Sequence, residues 1–354
     1  MITEVNGNLL TADVDALVNT VNTVGVMGKG IAYQFRRAFP AMFDEYRQAA
    51  KAGEIHLGRM HIWRNEGLTS PRYVINFPTK RHWKSPSRLA DIESGLADLT
   101  KVLSNLDIRS VAVPPLGCGN GGLNWNDVEP IILKAFASLP NLDVRLYLPA
   151  GAPSAPEMLE RRPRPAWSPG KAALVRLIAE YGERALDVSL IEVQKLMYFL
   201  QVAGEQLRLN YEKSYYGPYA ENLQQVLRSV EGHFLVGYGD GSSKVSAAEP
   251  IAPLPGIAEE AADYLHSQPE TGARIDRVLD LADGYESAYS MELLSNVHWV
   301  ATVKADPATD VDEATKRIAE WTPRKARMFT RDHIDTAWKH LAEGGWLPTP
   351  GRLQ

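Results

Sequence analysis

Along residues 1–150, short apolar runs rich in β-branched side chains alternate with stretches of helical period. The runs are Ala16 to Val21, Met60 to Trp63, Tyr73 to Phe77, Ser110 to Pro114 and Val144 to Leu148. Near-continuous runs of this length suit strands covered on both faces. Between them, Leu89, Ile92, Leu96, Leu99 and Leu103 recur at spacings of three and four. That stripe predicts a helix lying on a sheet, with Ser87 placed to cap it. The pattern is that of an α/β domain, a mixed sheet between helix layers.

Between Pro149 and Pro169 the chain carries six prolines, which suppress helix and withhold backbone donors. This predicts a linker at 156–169, between an N-terminal domain at 1–155 and a mainly helical region at 170–354. In that region Ser189-Leu-Ile-Glu192 forms a capping box that opens a helix through Gln206. A second helix is expected over Tyr219 to Glu231, and a hairpin over Phe234 to Gly241. Further helices are expected around 256–266, 272–303, 311–321 and 331–343. Helices separated by a hairpin suggest a winged-helix-like unit.

The length of 354 residues and 45% hydrophobic content support two or three domains with real cores. Apolar runs such as Leu196 to Leu200 fall far short of the roughly 20 residues a bilayer span needs. With no basic start followed by an apolar stretch, a cytoplasmic location is expected. Cys118 is the only cysteine, and no Cys or His grouping has zinc spacing, so neither a metal nor another cofactor is expected. The net charge of -5 is uneven. Residues 1–160 balance 16 Lys and Arg against 16 Asp and Glu, whereas 245–320 hold 15 acidic and 5 basic residues. The acidic half is unlike a nucleic-acid-binding surface.

Two glycine-rich segments sit where a strand hands over to a helix: Gly25-Val-Met-Gly28-Lys-Gly30-Ile-Ala32 and Gly117-Cys-Gly119-Asn-Gly121-Gly122. Glycine there lets backbone N–H groups approach a pyrophosphate, and the helix N-terminus favours the anion. Tight turns need glycine too, so one such loop alone says little; two within 125 residues say more. Neither matches the Rossmann or P-loop fingerprint.

Around these loops lie Gly7-Asn8-Leu9-Leu10, Asp15-Ala-Leu-Val-Asn-Thr-Val-Asn22, Phe77-Pro-Thr-Lys80 and Pro115-Leu-Gly-Cys-Gly-Asn-Gly-Gly-Leu123. The ordered set resembles a macrodomain, whose ligand is ADP-ribose. The lysine after Phe-Pro-Thr is similar to the branch that removes terminal ADP-ribose, which includes the DarG-type antitoxins. By that resemblance the chain removes ADP-ribose from ADP-ribosylated DNA bases, thymine first among them, and keeps ADP-ribose as product ligand. A cognate DarT-type toxin is the implied partner, bound through the C-terminal region. The resemblance assigns Asn8 and Leu9 to adenine, Asn22 to the distal ribose, and Gly28, Gly30 and Ile31 to the distal ribose and diphosphate. Gly117, Cys118, Gly119, Asn120 and Gly121 would wrap the phosphates, and Thr20, Val21 and Thr79 complete the ligand-binding set. Many macrodomains have Asp where this chain has Asn8; an amide oxygen still accepts from the adenine amine. In the terminal-hydrolase branch an Asp assists the lysine, and Gly121 occupies that position here. Lys80 is left as the candidate catalytic group.

A neutral lysine amine adds to the carbonyl of a sugar that can open to an aldehyde and expels the linked base. Positive charge from Arg81, His82 and Lys84, and burial against Phe77 and Trp83, would favour the neutral amine. A lysine beside a phosphate site is also commonly a plain electrostatic contact. Cys118 has no paired histidine and suits a phosphate loop better than catalysis. His56, His61 and His82 lack the spacing of a helical metal pair. Arg81-His-Trp-Lys84 suits phosphate and base contacts at the cleft rim, or is a solvated loop.

Lys195-Leu-Met-Tyr-Phe-Leu-Gln201 and Tyr215-Tyr-Gly-Pro-Tyr-Ala220 are weakly similar to helical antitoxin domains of the SocA or Panacea type. The acidic 245–320 stretch suggests carboxylates occupying a toxin's DNA groove; exposed helices are also acidic for solubility alone. The alternatives to a DNA glycohydrolase are a non-catalytic ADP-ribose reader, a hydrolase of ADP-ribosylated protein or free ADP-ribose derivatives, and a winged-helix regulator. The acidity of the C-terminal half speaks against the last.

Overall fold

The computed structural model describes residues 1–67, 70–242, 249–302 and 306–348. The chain divides into two compact units. The first holds Met1–Pro163 with a short segment from Asp240; the second begins at Arg164.

The first unit runs β1 (Ile2–Val5), β2 (Ala16–Asn22), α1 (Gly30–Ala38), α2 (Pro40–Lys51), β3 (His61–Arg64), β4 (Tyr73–Lys80), α3 (Leu89–Asn105), β5 (Ser110–Val113), α4 (Trp125–Phe136) and β6 (Asp143–Tyr147). Its sheet has the order β1-β6-β5-β2-β4-β3. All neighbours are parallel except β3, which runs antiparallel to β4. Side chains alternate across it with the strand period of two. Ala16 and Val18 of β2, Ile75 and Phe77 of β4, and Val111 and Val113 of β5 enter one core with Ile92, Leu96 and Leu99 of α3. Leu17, Val74 and Ala112 enter the other, with Phe35 of α1 and Met42 and Tyr46 of α2. Both faces are covered, which is why the strands read as apolar runs rather than as alternation. A Cβ on Gly95 would fall 2.2 Å from the Phe77 ring, so glycine is what lets α3 lie this close to β4.

Three details depart from the sequence reading. β1 pairs with β6 from Ile2↔Val144 to Val5↔Tyr147; its Ile-Thr-Glu-Val is too short and polar to stand out as an edge strand. α3 begins at Leu89 with Arg88 at the cap position and no side-chain cap bond. Ser87 instead lies buried, its N–H donating to the Gly121 carbonyl at 2.9 Å. In the proline-rich stretch, Met158 is buried and Glu160 pairs with Arg37 at 2.9 Å.

The second unit is mainly helical: α5 (Pro169–Gly182), α6 (Leu190–Val202), β7 (Tyr211–Ser214), β8 (Gly217–Ala220), α7 (Leu223–Val230), β9 (Leu235–Val236), β10 (Ala252–Pro253), α8 (Ile257–Leu265), α9 (Pro269–Ala282), α10 (Ala288–Thr302), α11 (Val311–Trp321), α12 (Pro323–Met328) and α13 (Arg331–Glu343). The Ser189–Glu192 capping box is present. The helix it opens stops at Val202 rather than Gln206, because Gly204 turns the chain at φ 103°. Tyr219 and Ala220 belong to β8, which pairs with β7 as the unit's hairpin. No hairpin forms within Phe234 to Gly241: β9 pairs with β10, sixteen residues on. The expected single helix at 272–303 is two, broken around Gly284 at φ 77°; residue 303 lies outside the described residues. Buried charge is a feature of this core. Lys195 donates to the Pro218 carbonyl at 2.6 Å, and Glu292 accepts from Lys325 and, twice, from Arg324. Among the described residues no helix is long and apolar enough to cross a membrane.

Candidate functional site

The parallel strands β2 and β4 deliver the predicted residues to one end of the sheet, where ligands of such sheets collect. Their register runs from Ala16↔Tyr73 to Val21↔Pro78, then jumps to Asn22↔Lys80. Thr79 is the extra residue of this bulge. Pro78 has no N–H to continue the ladder. Thr79 is buried, its hydroxyl donating to the Val21 carbonyl at 3.3 Å. Beyond the bulge, the Thr23 N–H donates to the carbonyls of Lys80 and Arg81 at 3.2 and 3.1 Å.

Asn22 shapes the first glycine loop. Its Oδ1 accepts from the N–H groups of Val24 and Val26 at 3.1 and 3.3 Å, and its Nδ2 donates to the Val26 carbonyl at 2.6 Å. The Tyr46 hydroxyl donates to the Asn22 carbonyl from below, and burial pushes the phenol well above its ordinary value, keeping it a donor. Met27 is buried against the sheet, above a polar relay in which Asn19 donates to Asn76 at 2.9 Å and Asn76 meets His61 Nδ1 at 3.1 Å. The braced loop ends at Lys29, which caps α1 without a side-chain bond. Among the described residues, the first N–H groups of α1, from Gly30 (φ 60°), Ile31 and Ala32, therefore have no side-chain acceptor, and the positive end of the helix dipole suits a phosphate.

The second loop is a chain of tight turns. Cys118 N donates to Pro115 O, Gly122 N to Gly119 O and Leu123 N to Gly117 O, each at 3.1 Å. A Cβ on Gly121 would lie 2.3 Å from both the Gly117 oxygen and Ser87 Oγ. No side chain fits there without moving the loop.

The two loops and Lys80 converge. Lys80 Nζ donates to the Asn120 carbonyl at 2.8 Å, and a Cβ on Gly30 would stand 2.9 Å from Asn120 Nδ2. Lys80 is half-buried, and burial holds its pKa below the ordinary lysine value. The neighbouring charge and aromatic packing expected from the sequence are not the cause: Arg81, His82, Trp83 and Lys84 are exposed, and Phe77 packs under α3. Cys118 is half-buried and its thiol is pushed up to about 11 by desolvation, so it stays protonated at neutral pH.

Leu9 is buried in the same apolar cluster as Val21 and Met27, with Ile31 packed at its edge. Asn8 caps the short turn Leu9–Thr11, its Oδ1 accepting from Leu10 N and its Nδ2 donating to Glu157 O, both at 3.0 Å. The side chains of Asn8 and Asn22 are thus spent on backbone, a role their motifs did not announce. Tyr46 and Asn76 carry no sequence signal, because each sits on an apolar stripe where core packing is the ordinary expectation; Ser87 reads as a helix cap and Asn19 only as part of its motif. Among the described residues no group of three or more His, Cys, Asp or Glu is arranged to hold a metal ion.

The Macro domain family profile matches residues 18–132. The chain is 44% identical over 351 residues to the DNA ADP-ribosyl glycohydrolase of Mycobacterium tuberculosis, covering 95% of this chain and 98% of that protein. It is 42% identical over 359 residues to the protein of the same name from Thermus aquaticus, covering 100% of this chain and 98% of the relative. A DNA ADP-ribosyl transferase-DNA ADP-ribosyl glycohydrolase fusion protein of Thermosipho africanus is 35% identical over 160 residues, 41% of each chain. With likeness of this degree running end to end, the chain belongs to the DNA ADP-ribosyl glycohydrolase family and carries a macrodomain as its first unit.

Proposed function

We propose that the first unit binds ADP-ribose between the two glycine loops and that Lys80 releases it from a DNA base, thymine being the base first expected. The observation that carries this reading is the position of the Lys80 amine: at the end of β4, 2.8 Å from the carbonyl of Asn120, whose side-chain amide faces Gly30, with its pKa lowered by burial. In the reaction the neutral Nζ attacks C1 of the distal ribose. The C1–Nζ bond forms as the bond from C1 to the base nitrogen breaks, and the base leaves with a proton. Water then hydrolyses the sugar–lysine adduct, returning the free amine and ADP-ribose. The diphosphate lies against the N–H groups of α1 and the turns from Gly117 to Gly121, and adenine against Asn8 and Leu9. The working end of the cleft needs no assisting carboxylate, because the amine is already held partly desolvated.

The test is release of ADP-ribose from an ADP-ribosylated oligonucleotide by the full chain and by Lys80→Ala. Release that vanishes in the variant while ADP-ribose still binds supports the mechanism. Release that persists refutes the role of Lys80, and no release by the parent protein despite ADP-ribose binding makes the domain a reader.

The second unit is proposed to bind and neutralise a DNA ADP-ribosyltransferase toxin in the cytoplasm. The Thermosipho africanus fusion, in which transferase and glycohydrolase share one chain, supports that pairing. The acidic 245–320 stretch, in which 245–248 and 303–305 fall outside the described residues, contributes less free charge than its count suggests. Asp276 pairs with Arg176, Asp283 with Arg184, Glu313 with Arg317, and Asp312 with Arg331. Glu260, Glu270, Glu292 and Asp306 are paired as well, so mimicry of DNA by this unit has correspondingly fewer carboxylates to draw on.

A further inference from the structure

The segment after Lys80 differs chemically from the rest of the first unit. Residues 1–160 balance their charges, yet no carboxylate occurs between Glu66 and Asp91, while Arg72, Lys80, Arg81, Lys84 and Arg88 are all cationic. Arg81, His82, Trp83 and Lys84 are exposed in sequence, with Trp83 46% accessible. Lys84 Nζ stands 4.8 Å from the centroid of the indole, and the His82 ring lies 5.3 Å away, tilted by 31°. A single exposed tryptophan is ordinary. One set among cations, beside the proposed catalytic amine, on a backbone tied at both ends, is not.

Those ties are specific. At the start, the Arg81 carbonyl accepts from Thr23 N at 3.1 Å and from Thr23 Oγ1 at 2.8 Å. At the far end, Ser87 N donates to the Gly121 carbonyl at 2.9 Å. Within the turn, Ser85 N donates to the His82 carbonyl at 2.9 Å and Lys84 N to His82 Nδ1 at 3.2 Å. The rim is pinned to the end of β2 and to the second glycine loop, so it keeps its shape before any ligand arrives.

We propose that Arg81 to Lys84 form a strand-binding subsite, in which Trp83 stacks a nucleobase next to the modified nucleotide and Arg81 and Lys84 hold the flanking phosphates. The inference rests on the reading that the ADP-ribose is carried by DNA. An indole face accepts any base, and cations interleaved with an aromatic suit a single strand, whose bases are free to stack. A duplex offers no such free face, and an acidic peptide would use the cations but not the ring.

The test uses the full chain with Trp83→Ala and Trp83→Phe. Cleavage is measured on an ADP-ribosylated single-stranded oligonucleotide and on the matching ADP-ribosylated mononucleoside, and anisotropy reads binding of an unmodified labelled single strand. Trp83→Ala should raise KM for the oligonucleotide about tenfold and weaken strand binding about as much. Its kcat, and its KM for the mononucleoside, should stay put, and Trp83→Phe should restore most of the loss. An unchanged oligonucleotide KM with unchanged strand affinity overturns the proposal. An equal loss on the mononucleoside also overturns it, because Trp83 then acts in the ADP-ribose cleft. If the parent protein cleaves nothing but loses strand binding with Trp83→Ala, the subsite stands and the glycohydrolase reading falls.

Discussion

Gly121→Ala isolates the geometry of the second loop. The added methyl would sit 2.3 Å from the Gly117 oxygen and from Ser87 Oγ, over 1 Å inside the contact distance of about 3.5 Å at which such atoms normally rest. Relieving the overlap means opening the turn. Overpacking of that kind costs about 1–3 kcal/mol. The bonds from Ser87 N to Gly121 O and from Leu123 N to Gly117 O would stretch with it, at about 1 kcal/mol each. If half of the resulting 3–5 kcal/mol, roughly, appears in the bound state, ADP-ribose affinity falls about tenfold or more. Calorimetric titration of ADP-ribose into the full chain, beside a thermal melt, measures both parts. A variant that binds ADP-ribose as the parent does, with an unchanged melting temperature, would refute the claim that glycine is sterically required there. The same overlap predicts that Gly121→Asp cannot restore an assisting carboxylate to this loop.

Two further outcomes follow from buried titratable groups. Because Lys80 must be neutral to attack and burial lowers its pKa, kcat/KM should climb with pH and level off below the ordinary lysine range near pH 10; a flat profile from neutral to alkaline pH would exclude an attacking amine. In the second unit, burial lowers the pKa of His298 from 6.5 to about 4, where it meets the Tyr198 hydroxyl at 2.7 Å. Its folded-state pKa lies below the unfolded one, so its contribution is complete above pH 6.5 and is lost as pH falls toward 4. Over that window the unit should lose about 3 kcal/mol. His298→Phe should flatten the pH dependence of the melt; a variant with the parent's slope would place the acid sensitivity elsewhere.

The first unit was largely legible in the sequence because its central strands are buried on both faces. Val18, Ile75 and Val111 had to be apolar, and so did Leu17, Val74 and Ala112 on the other side. What the sequence concealed were long-range uses of polar side chains. Ser87 stands where a helix cap belongs, yet its backbone serves a loop 34 residues away, at Gly121. Asn22 and Asn8 sit in ligand motifs, yet Asn22 spends its amide on local backbone and Asn8 spends its own on Leu10 N and on the distant Glu157 carbonyl. The site itself was readable as a set of loops, while the meeting of Lys80 with Asn120 depends on strand order, which no local pattern encodes. In the second unit the breaks at Gly204 and Gly284 were underread, since a lone glycine within a helical pattern is weak evidence for a stop.

The extra residue at Thr79 has a consequence for how this site can be inherited. Side chains of a strand switch faces with every residue, so a ladder that ran straight through Pro78 would turn the lysine amine toward the opposite face of the sheet. The aim of the amine is therefore a matter of counting residues rather than of choosing neighbours. A lineage that lost Thr79 would keep its core and its glycine loops, and still aim the amine away from the cleft.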